Sequence, residues 1–150
     1  RVLVPPCRLE GRVAAGAGFV RSQLVFDRTI VGGSMANVCE LGLLEKVSVI
    51  ASVGIPRSVR GARFMKEKVP GLLVPDSLIS RLEGVPPARQ ADEGIKIAVE
   101  LVAALQKIPG VAGVHLIGIK WEEGVVRVAQ DAGLLPRPTL SPLATVGGTV

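Results

Sequence analysis

The run Val47-Ser48-Val49-Ile50-Ala51-Ser52-Val53, followed at once by Gly54-Ile55-Pro56, decides the fold. Its near-continuous apolar character suits a strand covered on both faces, as strands are in parallel sheets, rather than a half-solvated antiparallel one. Gly54 and Pro56 then break it. On its N-terminal side, Phe19–Phe26 (FVRSQLVF) is rich in branched and aromatic residues and lies between Gly18 and Asp27, which predicts a second strand. On its C-terminal side, Val111–Ile119 (VAGVHLIGI) predicts a third, and Leu72–Val74 offers a short fourth.

Helical patterns separate these runs. Met35, Val38, Cys39 and Leu43 recur at helical spacing, predicting a helix from Ser34 to Leu44 with Ser34 as its N-cap. Ser58 is placed to cap a helix running to Lys68, and Val74-Pro75-Asp76 opens a short helix, Ser77–Leu82. A longer helix follows Pro86-Pro87, from Arg89 to Lys107, with Ile95, Val99, Val102 and Leu105 on one side. Asp92 and Lys96 stand at i,i+4 on it, and Gly110 closes it. Glu122–Ala132 predicts a last helix, ended by Gly133. Ahead of the first strand, a helix begun near Arg8 runs out in the small residues Val13–Ala17, whereas Val2–Cys7 (VLVPPC) does not read as helix.

Strands alternating with helices through short links imply right-handed parallel crossovers, hence an α/β fold. No G-x-G-x-x-G or P-loop follows any strand, which weighs against a Rossmann or Walker-type nucleotide site. A closed (β/α)8 barrel needs eight strands and typically about 250 residues, so within a barrel this chain is the second half. One domain is expected over 1–135, and the aperiodic, Pro- and Thr-rich Pro136–Val150 reads as a tail or linker. Arg1 in place of Met leads us to expect that the sequence begins inside a longer one.

Composition narrows the function. At 48% hydrophobic the 150 residues are not a disordered tail, and no apolar run reaches the roughly 18 residues of a membrane span. With no Tyr, one Trp and three Phe, the chain lacks the stacking aromatics of an RNA-binding sheet. Cys7 and Cys39, far apart and accompanied by one His, fit neither a zinc finger nor a disulfide scaffold, so no metal and a reducing cytoplasmic setting are expected. The net charge of +5 concentrates in Arg57, Arg60, Arg63, Lys66 and Lys68, relieved only by Glu67. That stretch is either a solvated helix face or a site for a small polyanion, such as a dinucleotide diphosphate or a polycarboxylate tail.

In α/β folds ligands bind at the carboxyl ends of the strands, so polar residues there carry the functional signal. Gln23 lies within an apolar strand, with Asp27 just past its end. A buried amide must satisfy one acceptor and two donors, either with backbone neighbours or with the amide-like edge of a pterin or flavin. Lys120, Trp121, Glu122 and Glu123 leave the third strand, and Trp121 either stacks on a flat ligand or packs. Phe64, on the helix after the second strand, either packs on the wall or forms a lid over a planar ring. His115, mid-strand, reads as a hydrogen-bonded core residue. No nucleophile sits beside a base and no carboxylate pair stands out, so the chemistry suits a cofactor.

Three runs together carry a resemblance: AAGAGFVRSQLVFD (Ala14–Asp27), ASVGIPRSVRGARFMKEKVPGLLVPDSLISRLEG (Ala51–Gly84) and GVHLIGIKWEEGVVRVAQDAGLLPRP (Gly113–Pro138). In order and spacing, from Leu9 to Pro138, they resemble the second half of the methylenetetrahydrofolate reductase family. The resemblance implies the C-terminal half of a parallel (β/α)8 TIM-type barrel that binds a flavin, normally FAD, with FMN as the alternative. It further implies reduction of 5,10-methylenetetrahydrofolate to 5-methyltetrahydrofolate by NADH or NADPH. The family's folate-binding Gln, in a T-Q-hydrophobic-hydrophobic-aromatic-D strand, corresponds to Gln23, with Ser22 in place of Thr, and its substrate-covering Phe to Phe64. Arg60 falls at a further substrate-side position. Trp121 stands where some members have a substrate-contacting Arg, with Lys120 just before it as a substitute cation. Arg12 is the basic residue left on the helix that contacts the flavin. The family's catalytic Glu belongs to the first half of the barrel and so has no counterpart here, which leads us to expect no catalytic residue in this chain and no turnover by it alone. Two open strand edges imply an oligomer or a complex with the missing half. The other function class consistent with these residues is a non-catalytic half-barrel serving as a binding or assembly module for a partner subunit.

Overall fold

The computed structural model describes residues 6–136. Val2–Pro5 and all of the expected tail beyond Pro136 lie outside the described residues. The chain runs α1 (Pro6–Ala14), β1 (Phe19–Val25), α2 (Arg28–Glu40), β2 (Ser48–Gly54), α3 (Val59–Lys68), α4 (Asp76–Glu83), a 3-10 turn at Pro87–Arg89, α5 (Gln90–Leu105), β3 (Val111–Ile117) and α6 (Glu122–Asp131). The three strands form one parallel sheet in the order β1-β2-β3. The α/β expectation therefore holds, as three parallel strands with helical crossovers. Among the described residues no helix is long and apolar enough to cross a membrane.

Several local expectations are corrected. Helix α1 starts at Pro6, inside the segment read as non-helical, because proline at a first helical position gives up only an N–H that has no partner there. Helix α2 begins at Arg28 rather than after Ser34, and its N-cap is Asp27, whose carboxylate accepts from the Thr29 N–H at 2.8 Å. It continues through Gly32-Gly33, the pair that hides it in the sequence, because its inner face buries Val31, Ser34, Met35 and Val38. Cys39, read on that apolar stripe, is exposed. Leu72–Val74 is not a strand; Leu72 and Val74 are buried as loop residues in the second of two apolar clusters. Asp92 and Lys96 do not pair: Asp92 reaches Arg127 of α6 at 3.0 Å, and Lys96 reaches Glu93 at 3.4 Å.

The first cluster is the core under one face of the sheet. Val20, Val49, Ala51 and Val53 meet Val31, Met35 and Val38 of α2 and Ile95, Ala98 and Val102 of α5. The second joins Phe26, just past β1, to Ala62 of α3, Leu78, Ile79 and Leu82 of α4, and Ile97 of α5. The α3–α4 excursion is thus a separately packed cap on the carboxyl end of β1, with Phe26 as its anchor.

Between Arg21 and Leu24 the β1–β2 register shifts, so Ser22 and Gln23 form a β-bulge. Ser22 stitches the gap. Its hydroxyl accepts from the Ser52 N–H at 2.9 Å and donates to the Gln23 carbonyl at 2.7 Å, while the Ser52 hydroxyl donates to the Ser22 carbonyl at 2.9 Å. The extra residue breaks the simple in-out alternation: Val20, Ser22 and Val25 are buried, whereas Arg21 and Gln23 are exposed.

Arg81 clamps α4 onto α5. Its guanidinium donates to Glu93 at 2.6 Å and, as a fork, to both oxygens of Glu100 at 2.5 and 2.7 Å. Hydrogen bonds from Arg81 hold both carboxyls below the ordinary carboxylate range, with desolvation opposing. A carboxyl whose pKa is lowered by folding stabilises the fold above its unfolded pKa and loses that contribution as pH falls through the folded value. Arg81→Met is expected to cost about 1–2 kcal/mol near neutral pH, the network being partly exposed. In urea melts run from pH 7 downward, the gap between variant and parent should close below the ordinary Glu pKa. A gap that stays constant into strong acid would refute the clamp.

Candidate functional site

Parallel strands send their carboxyl ends toward one edge of the sheet, and three links leave it here: Phe26-Asp27 after β1, Ile55–Ser58 after β2 and Gly118–Trp121 after β3. The middle link is rigid. Its Ile55 N–H donates to the Ile117 carbonyl at 3.1 Å, and Pro56 is fully buried. The Val59 N–H, one of the unpaired donors at the start of α3, is satisfied by the Gln90 side-chain carbonyl at 3.1 Å. Gly94 of α5 lies so near that a Cβ on it would come within 1.7 Å of the Pro56 oxygen.

This link delivers α3, capped by the Ser58 hydroxyl accepting from the Gly61 N–H at 3.1 Å. Only Ala62 of the helix is fully buried, so most of its charged side chains face water. Phe64 is 61% exposed, an apolar ring presented rather than packed away. The cations divide into two groups. Arg63 pairs with Glu83 and Lys66 with Asp76, which ties α3 to α4. Arg57 and Arg60 have no carboxylate partner among the described residues.

Gln23 is not a buried amide. It is exposed, on the same face of β1 as Arg21, with its Nε2 donating weakly to the Pro70 carbonyl at 3.5 Å. Pro70 follows α3, the helix that carries the exposed Phe64. Most of the amide's hydrogen-bonding capacity remains free.

Trp121 is 8% exposed, and its ring packs against Gly124, where a Cβ would fall 2.6 Å from ring atoms. The Arg57 guanidinium lies over this indole, 5.4 Å from the ring centroid. Of the two readings open from the sequence, packing is the one seen. Lys120 is exposed and takes the left-handed conformation, φ 53°, in the tight turn that the Trp121 N–H closes onto the Gly118 carbonyl at 3.3 Å.

Arg12 stands apart from these residues. It lines a pocket of about 390 Å³ with Phe19, Arg21, Ser52, His115 and Ile117, and none of Gln23, Arg60, Phe64, Lys120 or Trp121 borders that pocket. There Arg21 Nη1 approaches both ring nitrogens of His115, at 3.4 and 3.5 Å, and His115 Nδ1 lies 3.5 Å from the Ser52 hydroxyl. Neither Arg12 nor Arg21 has a carboxylate partner among the described residues.

Gln23 thus lies in β1, Arg60 and Phe64 on α3 and Lys120 on the link after β3, while Arg12 borders a separate polar pocket. The sequence reading missed the seating of Arg57 on Trp121 and the approach of Arg21 to His115. Neither pair has a local signature, because each joins residues from different strands or their exits. Among the described residues no group of three or more His, Cys, Asp or Glu is placed to hold a metal ion. Residues 6–133 match the model of the methylenetetrahydrofolate reductase family. No curated protein matches the chain.

Proposed function

Because the chain belongs to the methylenetetrahydrofolate reductase family, we propose that it forms the folate-binding half of a cytoplasmic, flavin-dependent (β/α)8 reductase. The reaction is conversion of 5,10-methylenetetrahydrofolate to 5-methyltetrahydrofolate with NADH or NADPH. At the level of the family it is an oxidoreductase domain of folate metabolism. The observation that supports the finer reading is the exposed primary amide of Gln23 at the β1 bulge, which makes only a long hydrogen bond to the Pro70 carbonyl, just after the helix that carries the exposed Phe64. An amide with two donors and one acceptor complements the nitrogen and carbonyl edge of a pterin ring. An exposed aromatic ring beside it can cover the face of that heterocycle. Arg60 and Lys120 supply positive charge for the carboxylates of the folate tail.

The described residues also fit the phosphate-bearing part of a flavin dinucleotide, since Arg12 and Arg21 face an open polar pocket without carboxylate partners. When bound, FAD (or FMN) would supply hydride relay between the reduced nicotinamide and the folate. This chain's own residues bind and orient, and the catalytic Glu comes from the other half of the barrel. The outer edges of β1 and β3 carry no strand partner among the described residues. These edges favour assembly with further parallel strands. The same edges also support the second reading, a non-catalytic half-barrel module.

The test compares half-reactions in the assembled enzyme. Gln23→Ala should slow folate reduction about tenfold or more while nicotinamide oxidation stays within about twofold. The 150-residue chain mixed with FAD alone should oxidise no NADH. Equal losses in both half-reactions would remove the folate role of Gln23, and turnover by the chain alone would remove the division of labour.

A further inference from the structure

Two hydroxyls hold the backbone on either side of Gln23. Ser22 and Ser52 are both buried, and they meet across the β1–β2 ladder where its register shifts between Arg21 and Leu24. A peptide unit is planar, so the direction of a Cα–Cβ bond is settled once the two planes that flank it are held. At Gln23 each plane is held by one hydroxyl. The Ser52 hydroxyl donates to the Ser22 carbonyl at 2.9 Å, which holds the plane before Gln23. The Ser22 hydroxyl donates to the Gln23 carbonyl at 2.7 Å, which holds the plane after it. The Ser52 N–H completes the lock by donating to the Ser22 hydroxyl at 2.9 Å. A regular ladder needs no such device, because strand carbonyls meet strand N–H groups directly; residues left out of the ladder at a bulge need other partners. The Ser52 hydroxyl has one proton to give, and the Ser22 carbonyl at 2.9 Å is nearer to it than His115 Nδ1 at 3.5 Å.

We propose that Ser52 is a positioning residue for Gln23: through the carbonyl and hydroxyl of Ser22 it fixes the direction in which the exposed amide leaves β1. Its hydroxyl bonds to the backbone beside the amide and not to the amide itself. The positioning rests on the hydrogen bonds between the two serines and the Gln23 carbonyl. Only its use, for folate, rests on the reading of Gln23 given under the proposed function. An amide that recognises the edge of a heterocycle must present donors and acceptor in one orientation, and a small misplacement of such a group is costly in rate.

Ser52→Ala removes the hydroxyl and keeps the Ser52 N–H. In the assembled enzyme, the ratio of folate reduction to nicotinamide oxidation should fall about three- to tenfold. Ser22→Ala, which removes both bonds of the Ser22 hydroxyl, should lower the ratio further, and Ser22→Thr, which keeps a hydroxyl, should retain most of it. Because Ser52 acts through Gln23, adding Ser52→Ala to Gln23→Ala should lower the ratio by less than about twofold more. A crystal structure of the Ser52→Ala enzyme should show the Gln23 amide displaced from the Pro70 carbonyl or in more than one orientation. Ser52 also borders the pocket that Arg12 lines, so loss of flavin or of the fold would slow both half-reactions together. Such a parallel loss overturns the proposal. So does a double variant whose defect is the product of the two single defects, or a Ser52→Ala structure with the Gln23 amide in its parent position. The structural comparison needs no ligand and decides the positioning whatever Gln23→Ala does to folate reduction. A Gln23→Ala enzyme without a folate defect would remove the folate reading alone.

Discussion

Replacing Gly94 by alanine is expected to cost about 3 kcal/mol or more, enough to leave a domain of ordinary stability largely unfolded on mild heating. The added Cβ would fall 1.7 Å from the Pro56 oxygen and 2.8 Å from its carbonyl carbon. A flexible side chain in that place could swing aside; a backbone carbonyl cannot. Pro56 has no room to retreat, since it is fully buried and its neighbour Ile55 is bonded to β3. Helix α5 cannot retreat either without pulling Ile95, Ala98 and Val102 out of the main core. Gly11 of α1 is the matched control, because nothing lies within 4 Å of a Cβ built there. Alanine at that position should be neutral or stabilising by up to about 1 kcal/mol, glycine being the poorer helix former. Urea denaturation of the two variants checks both signs. Equal behaviour of Gly94→Ala and Gly11→Ala would mean that α5 does not press on the β2–α3 link as described.

The second large effect concerns the cap. Leu82→Ala should cost about 3–4 kcal/mol, the usual range for emptying a fully enclosed leucine site that cannot collapse. Leu82 is 0% exposed and belongs to the cluster of Phe26, Ala62, Leu78, Ile79 and Ile97 that joins α3 and α4 to the end of β1. Its loss falls on the smaller cluster, so the damage should be unevenly distributed. Amide hydrogen exchange should show α3 and α4 losing protection well before α2 and β2, whose residues belong to the larger cluster. Uniform loss of protection would show instead that the two clusters form one cooperative unit.

What the sequence revealed and what it concealed follow from the range of each signal. Strands β1, β2 and β3 were legible to within about two residues at each end, because an apolar run between glycines is a local property. The parallel arrangement was legible from the helical links between them. Helix α2 was misplaced because Gly32-Gly33 depresses helix propensity locally, while the burial of Val31 and Met35 that overrides it depends on β1 and α5. Leu72 and Val74 resemble a strand in composition, but they are apolar because a cap closes over them. Gln23 was read as a buried amide because it sits inside an apolar run, but it shares the exposed face of β1 with Arg21, opposite the buried Val20 and Ser22. Gln23, Arg60, Phe64 and Lys120 were singled out by residue type and by resemblance, and no local signal carries their arrangement in space. The seat of Arg57 on Trp121 requires the exits of two adjacent strands to meet, which no single segment encodes.

The stitch made by Ser22 has a consequence for how this strand tolerates change over time. Its hydroxyl fills the place of a ladder carbonyl for Ser52, and the same extra residue sets the aim of the neighbouring amide. Losing one codon here would restore a regular ladder and rotate the amide to the other side of the sheet. A regular ladder and the present aim of the amide therefore exclude one another at this point.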